Sequence, residues 1–468
     1  MNKTKIVCTM GPACRDLETI KEMMREGMNV ARFNMSHGTH ESQKVLMDLV
    51  KQAREELSLP VAIMLDTKGP EIRIRQFKNG KIFLNPGQNF ALTTERVEGD
   101  ENIVSITYDK LPSLVKKGTK ILLSDGLIEL SVISHTDTVI HCEVVVGGEL
   151  SNNKSINIPS IELNMTYLGD ADKSDLAFGV QEGVDCYSIS FVGSKQDVID
   201  VRNYLSECGE KDAFIISKIE SAKCVDNMEE VIEVSDGVMV ARGDMGVEVP
   251  FERLPYIQKK IISFAKKYGK LSITATQMLE SMITNSRPTR AEISDVANAI
   301  YDGTSAIMLS GETSVGAHPV LTVKTMRKIA NETESKIVTD YHNMFLKTQD
   351  VTTGIGYAAC SLAHTFAVNA IIVNTTSGKS ALSICRFRPE TNIIALTPNK
   401  RIFYRLGMMW GVYPLMEKIY YSTDELLKSA REKSKKQKLV QKGDKVIQIA
   451  GLVTNSSGSD MLVVTTID

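Results

Sequence analysis

A lysine and a glutamate stand two residues apart in the segment AFIISKIE, at Lys218 and Glu220. In an extended strand, residues two apart point to the same face, so an ammonium group and a carboxylate share one wall. A later run of the same kind, DGVMVAR, leads to Asp244. Mg²⁺ binds a few carboxylate oxygens and leaves its other positions to water and substrate oxygens. The pattern predicts that Glu220 and Asp244 bind a divalent ion while Lys218 stabilises the equatorial oxygens of a migrating phosphoryl group.

Polar residues also follow the other apolar runs of the chain. They are Arg32, Asn34, Ser36 and His37 at the second run, Asp66, Thr67 and Lys68 at the third, Arg242 and Gly243 beside Asp244 at the sixth, Thr276 and Gln277 at the seventh, and Ser310 and Glu312 at the eighth. A single charged residue at a strand end is more often a solvated end residue than part of a site. Together with the fifth run, which carries Lys218 and Glu220, six strand ends share this feature. This favours one common site at the carboxyl ends of the strands.

The elements that must position these residues follow a strand–helix rhythm. The strand candidates are TKIVCTM, NVARFNM and PVAIMLD, then DCYSISFV, AFIISKIE, DGVMVAR, LSITAT and SAIMLS. Amphipathic stretches that begin near Ser194, Ala222, Phe251 and Thr289 separate the later strands. Eight strand–helix units predict a TIM barrel, although an open parallel sheet has the same count.

Two parts of the chain depart from this rhythm. Residues 71–165 contain short strands with Gly, Asn and Pro turns, such as NGKIFLNPGQ and GTKILLSDGL, which predict an inserted all-β domain. After residue 336 the runs AIIVN, NIIAL, GVYPL, KVIQIA and MLVVTT predict a smaller α/β domain. We therefore expect a barrel from residues 1–70 and 166–336, an inserted domain at 71–165, and a C-terminal domain at 337–468.

Composition limits the classes of partner. The 468 residues are 43% hydrophobic and 24% charged, with a net charge of −2, so we expect no general affinity for nucleic acid or anionic membranes. No segment has the length and apolar character of a membrane span, and MNKTKIVCTM lacks the pattern of an export signal. The cytoplasm is therefore the expected compartment. Eight scattered cysteines without a CxxC pair predict reduced thiols.

Several motifs resemble those of the pyruvate kinase family, over essentially the whole chain. They are KIVCTMGPA, GMNVARFNMSHG, LDTKGPEIR, LSDGLIEL, IISKIES, VSDGVMVARGDMGVEVP, TATQMLESM and RPTRAEISDVANAIYDGTSAIMLSGET. The resemblance implies a TIM barrel interrupted after its third strand by a β-barrel lid, with a C-terminal α/β regulatory domain. It implies a glycolytic enzyme that transfers the phosphoryl group of phosphoenolpyruvate to ADP, with Mg²⁺ (or Mn²⁺) and K⁺ as cofactors. It also implies a homotetramer.

The resemblance implies a role for each matching residue. Lys218 resembles the catalytic lysine beside the phosphoryl group, and Glu220 and Asp244 resemble the Mg²⁺ ligands. The matching K⁺ ligands are Asn34, Ser36, Asp66 and Thr67; substrate contacts fall on Arg32, Lys218, Ala241, Arg242, Gly243 and Thr276; nucleotide contacts fall on Arg32, Asn34, His37, Arg73 and Lys195. Arg32 is also expected to act in catalysis, and Thr276 and Ser310, with Glu312 nearby, resemble a water-linked relay that protonates enolpyruvate. A glutamate at the position of Glu71 goes with K⁺ dependence in this family.

The chain departs from the family pattern at two places. In the return strand of the lid, Asn164 stands where an aspartate is usual, Ser160 replaces a glycine, and Thr166 replaces a proline. In SFVGSKQDV, Gly193 and Ser194 replace an arginine and a lysine. These differences leave Lys218 and the metal ligands unchanged, and they suggest that one nucleotide contact has moved to Lys195.

A candidate effector site lies in the C-terminal domain. The segment NTTSGKSALSICR places Thr375, Thr376, Ser377, Gly378, Lys379 and Ser380 between a strand and a helix. Backbone N–H groups and hydroxyls there suit a phosphate, although a plain helix cap explains them equally well. Resemblance to the effector loop of the family favours a sugar-phosphate or nucleotide activator, whose identity the sequence does not specify.

Two other functions fit part of this pattern. A metal-dependent lyase or aldolase acting on pyruvate or phosphoenolpyruvate also pairs a glutamate and an aspartate on neighbouring strands, and formation of pyruvate only with ADP would exclude it. A sugar-phosphate-sensing relative that has lost catalysis would bind ligands without turnover. The inserted domain, the expected K⁺ ligands and Lys218 favour the kinase over the lyase.

Overall fold

Alternating strands and helices open the chain in the computed structural model, which describes residues 2–159, 161, 165–337, 350–451 and 458–468. These elements are β1 (Lys5–Thr9), a 3₁₀ turn (Pro12–Cys14), α1 (Leu17–Glu26), β2 (Val30–Asn34), α2 (His40–Glu56) and β3 (Ala62–Asp66). Each strand is a short β-branched or apolar run that is buried on both faces, as parallel strands covered by helices are. All three strands were predicted from the sequence.

The inserted segment is almost entirely β-structure. Its elements are β4 (Ile72–Arg73), β5 (Lys81–Leu84), β6 (Asn89–Thr93), β7 (Ile103–Ser105), the single turn α3 (Leu111–Leu114), β8 (Lys120–Leu123), β9 (Ile128–His135), β10 (Val139–Val146), β11 (Gly148–Ser151) and β12 (Ser155–Asn157). Seven of these strands form one sheet in the order β4-β12-β8-β9-β10-β6-β7, and β5 pairs with β11. A bridge between Ile74 and Ile106 brings the two edges of the large sheet together. We refer to this part as the lid.

The strand–helix rhythm then resumes. The elements are α4 (Asp170–Glu182), β13 (Cys186–Ile189), α5 (Lys195–Glu207), β14 (Ile215–Ile219), α6 (Ala222–Asp226), α7 (Met228–Val234), β15 (Gly237–Ala241), α8 (Arg242–Glu248), a 3₁₀ turn (Phe251–Arg253), α9 (Leu254–Tyr268), β16 (Leu271–Ala275), a 3₁₀ turn (Glu280–Ile283), α10 (Arg290–Tyr301), β17 (Ala306–Leu309), α11 (Gly311–Ser314) and α12 (Pro319–Glu334). Eight strands, β1 to β3 and β13 to β17, close into a parallel barrel in the order β1-β17-β16-β15-β14-β13-β3-β2. The predicted TIM barrel is confirmed, and the closed order excludes the open sheet.

The C-terminal part forms a separate sheet. Its elements are α13 (Val351–Thr365), β18 (Ala370–Asn374), α14 (Lys379–Cys385), β19 (Asn392–Thr397), α15 (Lys400–Leu406), β20 (Val412–Met416), α16 (Thr423–Lys436), β21 (Lys445–Ala450) and β22 (Met461–Thr466). The strand order is β20-β19-β18-β21-β22, with β22 antiparallel to its neighbour. The predicted α/β domain is confirmed as a fold. The numbered domain limits stay a prediction.

The barrel presents its two ends to different parts of the molecule. The C-terminal domain contacts residues at the amino-terminal ends of the barrel strands: Lys5 donates to the Val412 carbonyl at 2.9 Å, and Arg405 donates to the Asp185 carbonyl at 2.8 Å. The lid emerges after β3 and therefore lies at the opposite, carboxyl end. In the described part of the chain, no helix combines the length and the apolar character that a membrane crossing requires.

Candidate active site

Lys218 and Glu220, at the end of β14, lie in contact at the carboxyl end of the barrel. The Lys218 Nζ atom is 2.7 Å from Glu220 Oε1 and 3.3 Å from Asp66 Oδ1, which belongs to β3. Both carboxylates are fully buried, and the lysine is nearly so. The two-residue spacing therefore places the ammonium group and the carboxylate on one wall, as the sequence predicts.

The charges of this cluster perturb one another strongly. Burial raises the pKa of Glu220 to about 7, and the negative charge of Asp244 adds to this increase, against the attraction of Lys218. Burial alone would lower the pKa of Lys218, but the carboxylates of Asp66 and Glu220 outweigh it and raise that pKa. Lys218 is therefore a permanent cation. Asp244 lies near enough to act on both side chains, so the structure brings all three residues together.

Arg32 adds a second cation to the cluster from the neighbouring strand β2. Its Nε donates to Asp66 Oδ2 at 2.5 Å, and its Nη1 donates to the hydroxyl of Thr9 at 3.0 Å. Burial would raise the pKa of Asp66, but Arg32 and Lys218 together hold that pKa below its usual value. Asp66 is thus an anion held between two cations.

The predicted K⁺ ligands lie on the same side of the barrel. Asn34 pairs in register with Asp66 across β2 and β3, and the Asn34 side chain accepts the N–H of Ser36 at 3.1 Å. Thr67 follows Asp66 directly and is also buried. The four residues supply carboxylate, amide and hydroxyl oxygens, which suit a hard monovalent cation.

The short helix α8 carries the residues expected to bind the substrate carboxylate. The Gly243 N–H donates to Thr276 Oγ1 at 2.9 Å, which joins α8 to the end of β16. Arg242 extends its guanidinium to Asp295 at 2.7 Å and to the Thr276 carbonyl at 2.5 Å. The Arg242 side chain is therefore engaged in fixing the loop, which leaves its backbone, with that of Ala241, as the expected contribution to substrate.

The predicted proton relay spans two neighbouring strand ends. Glu312 is fully buried and accepts the N–H groups of Ser310, at 2.7 Å, and Leu279, at 3.1 Å. Thr276 adopts a left-handed backbone with φ 69°, a conformation uncommon for a residue other than glycine. Within the described residues, no direct hydrogen bond joins Thr276 to Ser310 or Glu312, so a relay between them needs intervening water.

The predicted nucleotide contacts fall into two places. Arg73, on β4 of the lid, lies 2.6 Å from Glu71, and it lies close to His37, where partial burial and the charges of Arg73 and Arg32 lower the pKa of the imidazole. Lys195, by contrast, lies at the start of α5 and pairs with Glu230 at 3.8 Å. The structure brings His37 and Arg73 near Arg32, whereas Lys195 is engaged elsewhere.

The donor set fits a divalent ion that also binds substrate. Among the described residues, no group of three or more His, Cys, Asp or Glu side chains forms a self-sufficient metal site. Glu220 and Asp244 supply two carboxylates, which suits Mg²⁺ because this ion keeps positions for water and phosphate oxygens. Two carboxylates beside a buried lysine and arginine can thus hold a cation and face a phosphate.

Comparison with known proteins gives the family. A model described as the barrel domain of pyruvate kinase matches residues 1–323, and one described as the alpha/beta domain of pyruvate kinase matches residues 353–465. This chain belongs to the pyruvate kinase family. Curated pyruvate kinases of Clostridium acetobutylicum and Staphylococcus haemolyticus are each 44% identical to it over 466 residues, 98% of the chain, and span 98% and 79% of those relatives. The pyruvate kinase of Sporosarcina psychrophila is 44% identical over 470 residues, 99% of the chain and 80% of that relative.

Membership of the pyruvate kinase family makes the chain a glycolytic phosphotransferase and favours this function over the lyase.

Two residues at the centre of the site, Ser190 and Phe191, were not predicted. They follow β13, where Lys218 donates to the Ser190 hydroxyl at 2.7 Å and the Phe191 N–H donates to Glu220 at 2.7 Å. The serine just beyond a barrel strand was a signal in the sequence, but the backbone contact of Phe191 was not.

The structure describes only some of the residues that depart from the pyruvate kinase pattern. Ser160 and Asn164 lie outside the described residues, whereas Thr166 lies within them. The N–H groups of Gly193 and Ser194 donate to the Asp197 carboxylate at 2.8 and 2.9 Å, so both residues are held at the start of α5, where Ser194 is the N-cap.

The expected effector loop leads from β18 into α14. Gly378 has φ 84°, and its N–H donates to Thr375 at 2.9 Å. Ser377 accepts the N–H of Lys379, and the Ser459 hydroxyl donates to the Ser380 hydroxyl at 2.7 Å. Thr376, which follows Thr375, is exposed. Apart from the contact of Ser459, these hydrogen bonds lie within the loop, and Gly378, the residue that caps α14, makes no side-chain hydrogen bond to the helix. The effector role of the loop stays a prediction.

Proposed function

We propose that the chain transfers the phosphoryl group of phosphoenolpyruvate to ADP at the carboxyl end of the barrel, with Lys218 as the residue that stabilises the group in transit. The observation that carries this proposal is the contact of Lys218 with both Glu220 and Asp66 inside the barrel mouth. A buried ammonium group in a site of low dielectric stabilises developing negative charge more than one in water. Because its pKa is raised, Lys218 keeps that charge throughout the working pH range.

Glu220 and Asp244 are the residues that we propose hold Mg²⁺ or Mn²⁺. When bound, such an ion neutralises phosphate oxygens and fixes their orientation. Glu220 meets the requirement for a ligand because it is buried and its carboxylate is oriented by Lys218 and by the Phe191 N–H. Asn34, Ser36, Asp66 and Thr67 are proposed to hold K⁺ beside the same phosphate.

The remaining residues are proposed to orient the two substrates. Arg32 contacts the transferred phosphate through its guanidinium fork, and Arg73 and His37 contact the nucleotide. The backbone from Ala241 to Gly243, together with Thr276, binds the substrate carboxylate. To bind there, the substrate carboxylate must accept the hydrogen bond of the Gly243 N–H, which donates to Thr276 Oγ1 in this structure. Ser310 and Glu312 orient the water that returns a proton to enolpyruvate. Lys195 reaches the nucleotide only if it leaves Glu230.

Regulation and assembly are proposed from family membership. A sugar-phosphate or nucleotide would bind the loop from Thr375 to Ser380 and activate the enzyme, and the working form would be a homotetramer in the cytoplasm. The loop offers hydroxyl groups and the Lys379 cation, which suit a phosphate. A titration of activity with candidate sugar phosphates, beside a sedimentation measurement of the oligomer, tests both statements.

A coupled assay of pyruvate formation tests the proposal directly. We expect pyruvate only when phosphoenolpyruvate, ADP and Mg²⁺ are all present, and we expect Lys218→Met to lower kcat at least about 10²- to 10³-fold because it removes a preorganised charge. Lys428→Met, on the exposed face of α16, is the matched control and should retain activity. Pyruvate formation without ADP would indicate a lyase, and ligand binding without turnover would indicate a relative that has lost catalysis.

A further inference from the structure

The two residues that follow β13 contact both functional side chains of β14. Ser190 and Phe191 lie in the gap between Asp66 and Glu220, and neither is among the residues that resemblance assigns to substrate, nucleotide or metal. The Ser190 side chain is buried. It lies in the barrel mouth, within hydrogen-bond distance of Lys218.

The hydroxyl of Ser190 has a defined orientation. Ser190 Oγ donates to the carbonyl of Thr67 at 2.7 Å, in preference to the more distant Asp66 Oδ1 at 3.4 Å, and accepts a hydrogen bond from Lys218 Nζ at 2.7 Å. A hydroxyl carries one hydrogen, so donation to Thr67 turns a lone pair towards the ammonium group. Lys218 thereby gains a third acceptor beside Glu220 and Asp66, one for each of its N–H groups. The position of the ammonium is fixed from three sides.

Phe191 fixes Glu220 through its backbone. Its φ of 54° is in the left-handed region, which is strained for a residue other than glycine. In this conformation its N–H donates to Glu220 Oε2 at 2.7 Å, while Lys218 binds the other oxygen. Gly69 packs against the turn so closely that a Cβ there would lie 2.9 Å from both Phe191 and Ser190. The turn is thus held by its neighbours in a strained conformation that orients a carboxylate.

We propose that Ser190 and Phe191 are positioning residues for phosphoryl transfer. The Ser190 hydroxyl sets the location of the Lys218 ammonium group, and the left-handed turn at Phe191 sets that of the Glu220 carboxylate. Together they hold the cation and the metal-binding oxygen at a constant separation. This inference rests on the proposed function of Lys218 and Glu220.

Ser190→Ala tests the first half of the inference. Loss of a hydrogen bond to a charged group corresponds to about a 10- to 100-fold decrease in kcat, with the KM for phosphoenolpyruvate changed much less. Ser188→Ala is the matched control because Ser188 is a buried serine of β13, two residues before Ser190, and no side-chain hydrogen bond to it is found in the described part of the chain. We expect kcat to fall only in Ser190→Ala, measured at a temperature at which both variants are fully folded.

Phe191→Val and Phe191→Asn test the second half. A β-branched residue strongly disfavours positive φ, whereas asparagine tolerates it. Titration of the substrate-free variants with Mn²⁺, followed by electron paramagnetic resonance, should show binding weakened at least about tenfold in the valine variant and nearly unchanged in the asparagine variant. Equal Mn²⁺ affinity in the two would overturn the role of Phe191.

The outcomes separate this inference from the proposed function. If Lys218→Met abolishes turnover while Ser190→Ala behaves like Ser188→Ala, Ser190 is not a positioning residue and the proposed function stands. If Lys218→Met retains full turnover, the proposed function itself is wrong. A kcat lowered in Ser190→Ala at a nearly unchanged KM, in protein that is fully folded at the assay temperature, supports the inference, since a purely structural hydroxyl would change stability without this split between kcat and KM.

Discussion

The Glu220 carboxylate has two states near neutral pH, and this follows from its place in the fold. Burial raises its pKa to about 7, well above the value of about 4.3 for a solvated glutamate. Lys218 pulls the pKa in the other direction without fully compensating. A metal ligand must be deprotonated, so binding of a divalent ion to this residue competes with a proton.

Divalent-ion affinity is therefore expected to rise with pH. Below about pH 7 the metal-free carboxyl is increasingly protonated, and the apparent affinity for Mn²⁺ should fall by up to about tenfold for each further pH unit. Above pH 8 the affinity should reach a plateau. Calorimetric titration of the substrate-free protein at pH 6, 7 and 8 measures this, and the proton released on binding should be largest at pH 6. Glu220→Gln, which cannot titrate, serves as the control, and a constant affinity across this range in the unmodified protein would refute the prediction.

Turnover is expected to require K⁺ because residue 71 is a glutamate. Glu71 lies 2.6 Å from Arg73, and the charges of Asp244 and Asp125 act on it, so an ammonium group introduced there would lie close to the metal-binding region. We expect turnover in Na⁺ or without a monovalent cation to be at least about tenfold lower than in K⁺, a difference of about 1.4 kcal/mol in the activation free energy. Glu71→Lys should reduce this difference by supplying the charge internally. The coupled assay at constant ionic strength measures the unmodified protein and Glu71→Lys. Comparable rates of the unmodified protein in K⁺, in Na⁺ and without a monovalent cation would contradict the expectation.

At the scale of elements, helix α8 connects the lid to the barrel site. Its first turn carries Gly243 and Asp244, and its last residue, Glu248, accepts a hydrogen bond from Asn157 of β12 at 3.1 Å. Burial raises the pKa of Glu248, in keeping with its enclosure between lid and barrel. Movement of the lid is thus coupled to the helix that holds a proposed metal ligand.

Asn157→Ala should weaken this coupling. One lost hydrogen bond of about 0.5–1.5 kcal/mol corresponds to a 2- to 10-fold increase in the KM for ADP, with a smaller change in kcat. Asn89→Ala, an exposed residue of β6 in the lid, provides the control. Steady-state kinetics with varied ADP measures the effect, and an unchanged KM would show that the lid acts without this bond.

The elements were more predictable than the contacts between them. The barrel strands were found because short β-branched runs, buried on both faces, give a clear signal, and Ser194 and Thr289 mark the starts of α5 and α10 as helix caps. The helical stretch from Ala222 divides into α6 and α7 at Asn227, which periodicity does not reveal. Lys218 and Glu220 could be paired from their spacing alone. The support from Phe191 could not, because a left-handed backbone that reaches an adjacent strand leaves no periodic pattern.

At the scale of the whole molecule, the C-terminal domain covers the end of the barrel opposite the active site. Arg54 of the barrel stacks on Tyr404 at 3.5 Å, and a Cβ at Gly407 would collide with the carbonyl of Pro60. Such close packing means that the two domains move as one unit unless these contacts change. An effector bound to the C-terminal domain would therefore act on the active site through the base of the barrel.

Arg388 is the contact at this junction whose loss is most easily observed. It donates to the Gly303 carbonyl at 2.8 Å and to the Ser305 hydroxyl at 2.9 Å, both just before β17, and its guanidinium lies 4.6 Å from the ring of Trp410. Burial lowers the pKa of Arg388 to about 10, so the side chain stays charged at neutral pH. Because hydrogen bonds from a charged group are worth about 1.5–3 kcal/mol, Arg388→Met should lower the free energy of unfolding by roughly that amount.

Trp410 is the single tryptophan of the chain, so its emission reports this junction directly. We expect Arg388→Met to shift the emission and to lower the midpoint of thermal unfolding followed by that emission, while kcat without effector changes little because the barrel mouth lies at the other end. Arg15→Met, an exposed arginine of the barrel, should change neither quantity. If the emission and the midpoint stay constant in Arg388→Met, the domains are held by the contacts at Arg54, Arg405 and Gly407. In that case communication with the active site would have to pass beneath β3 and β13 instead of β17.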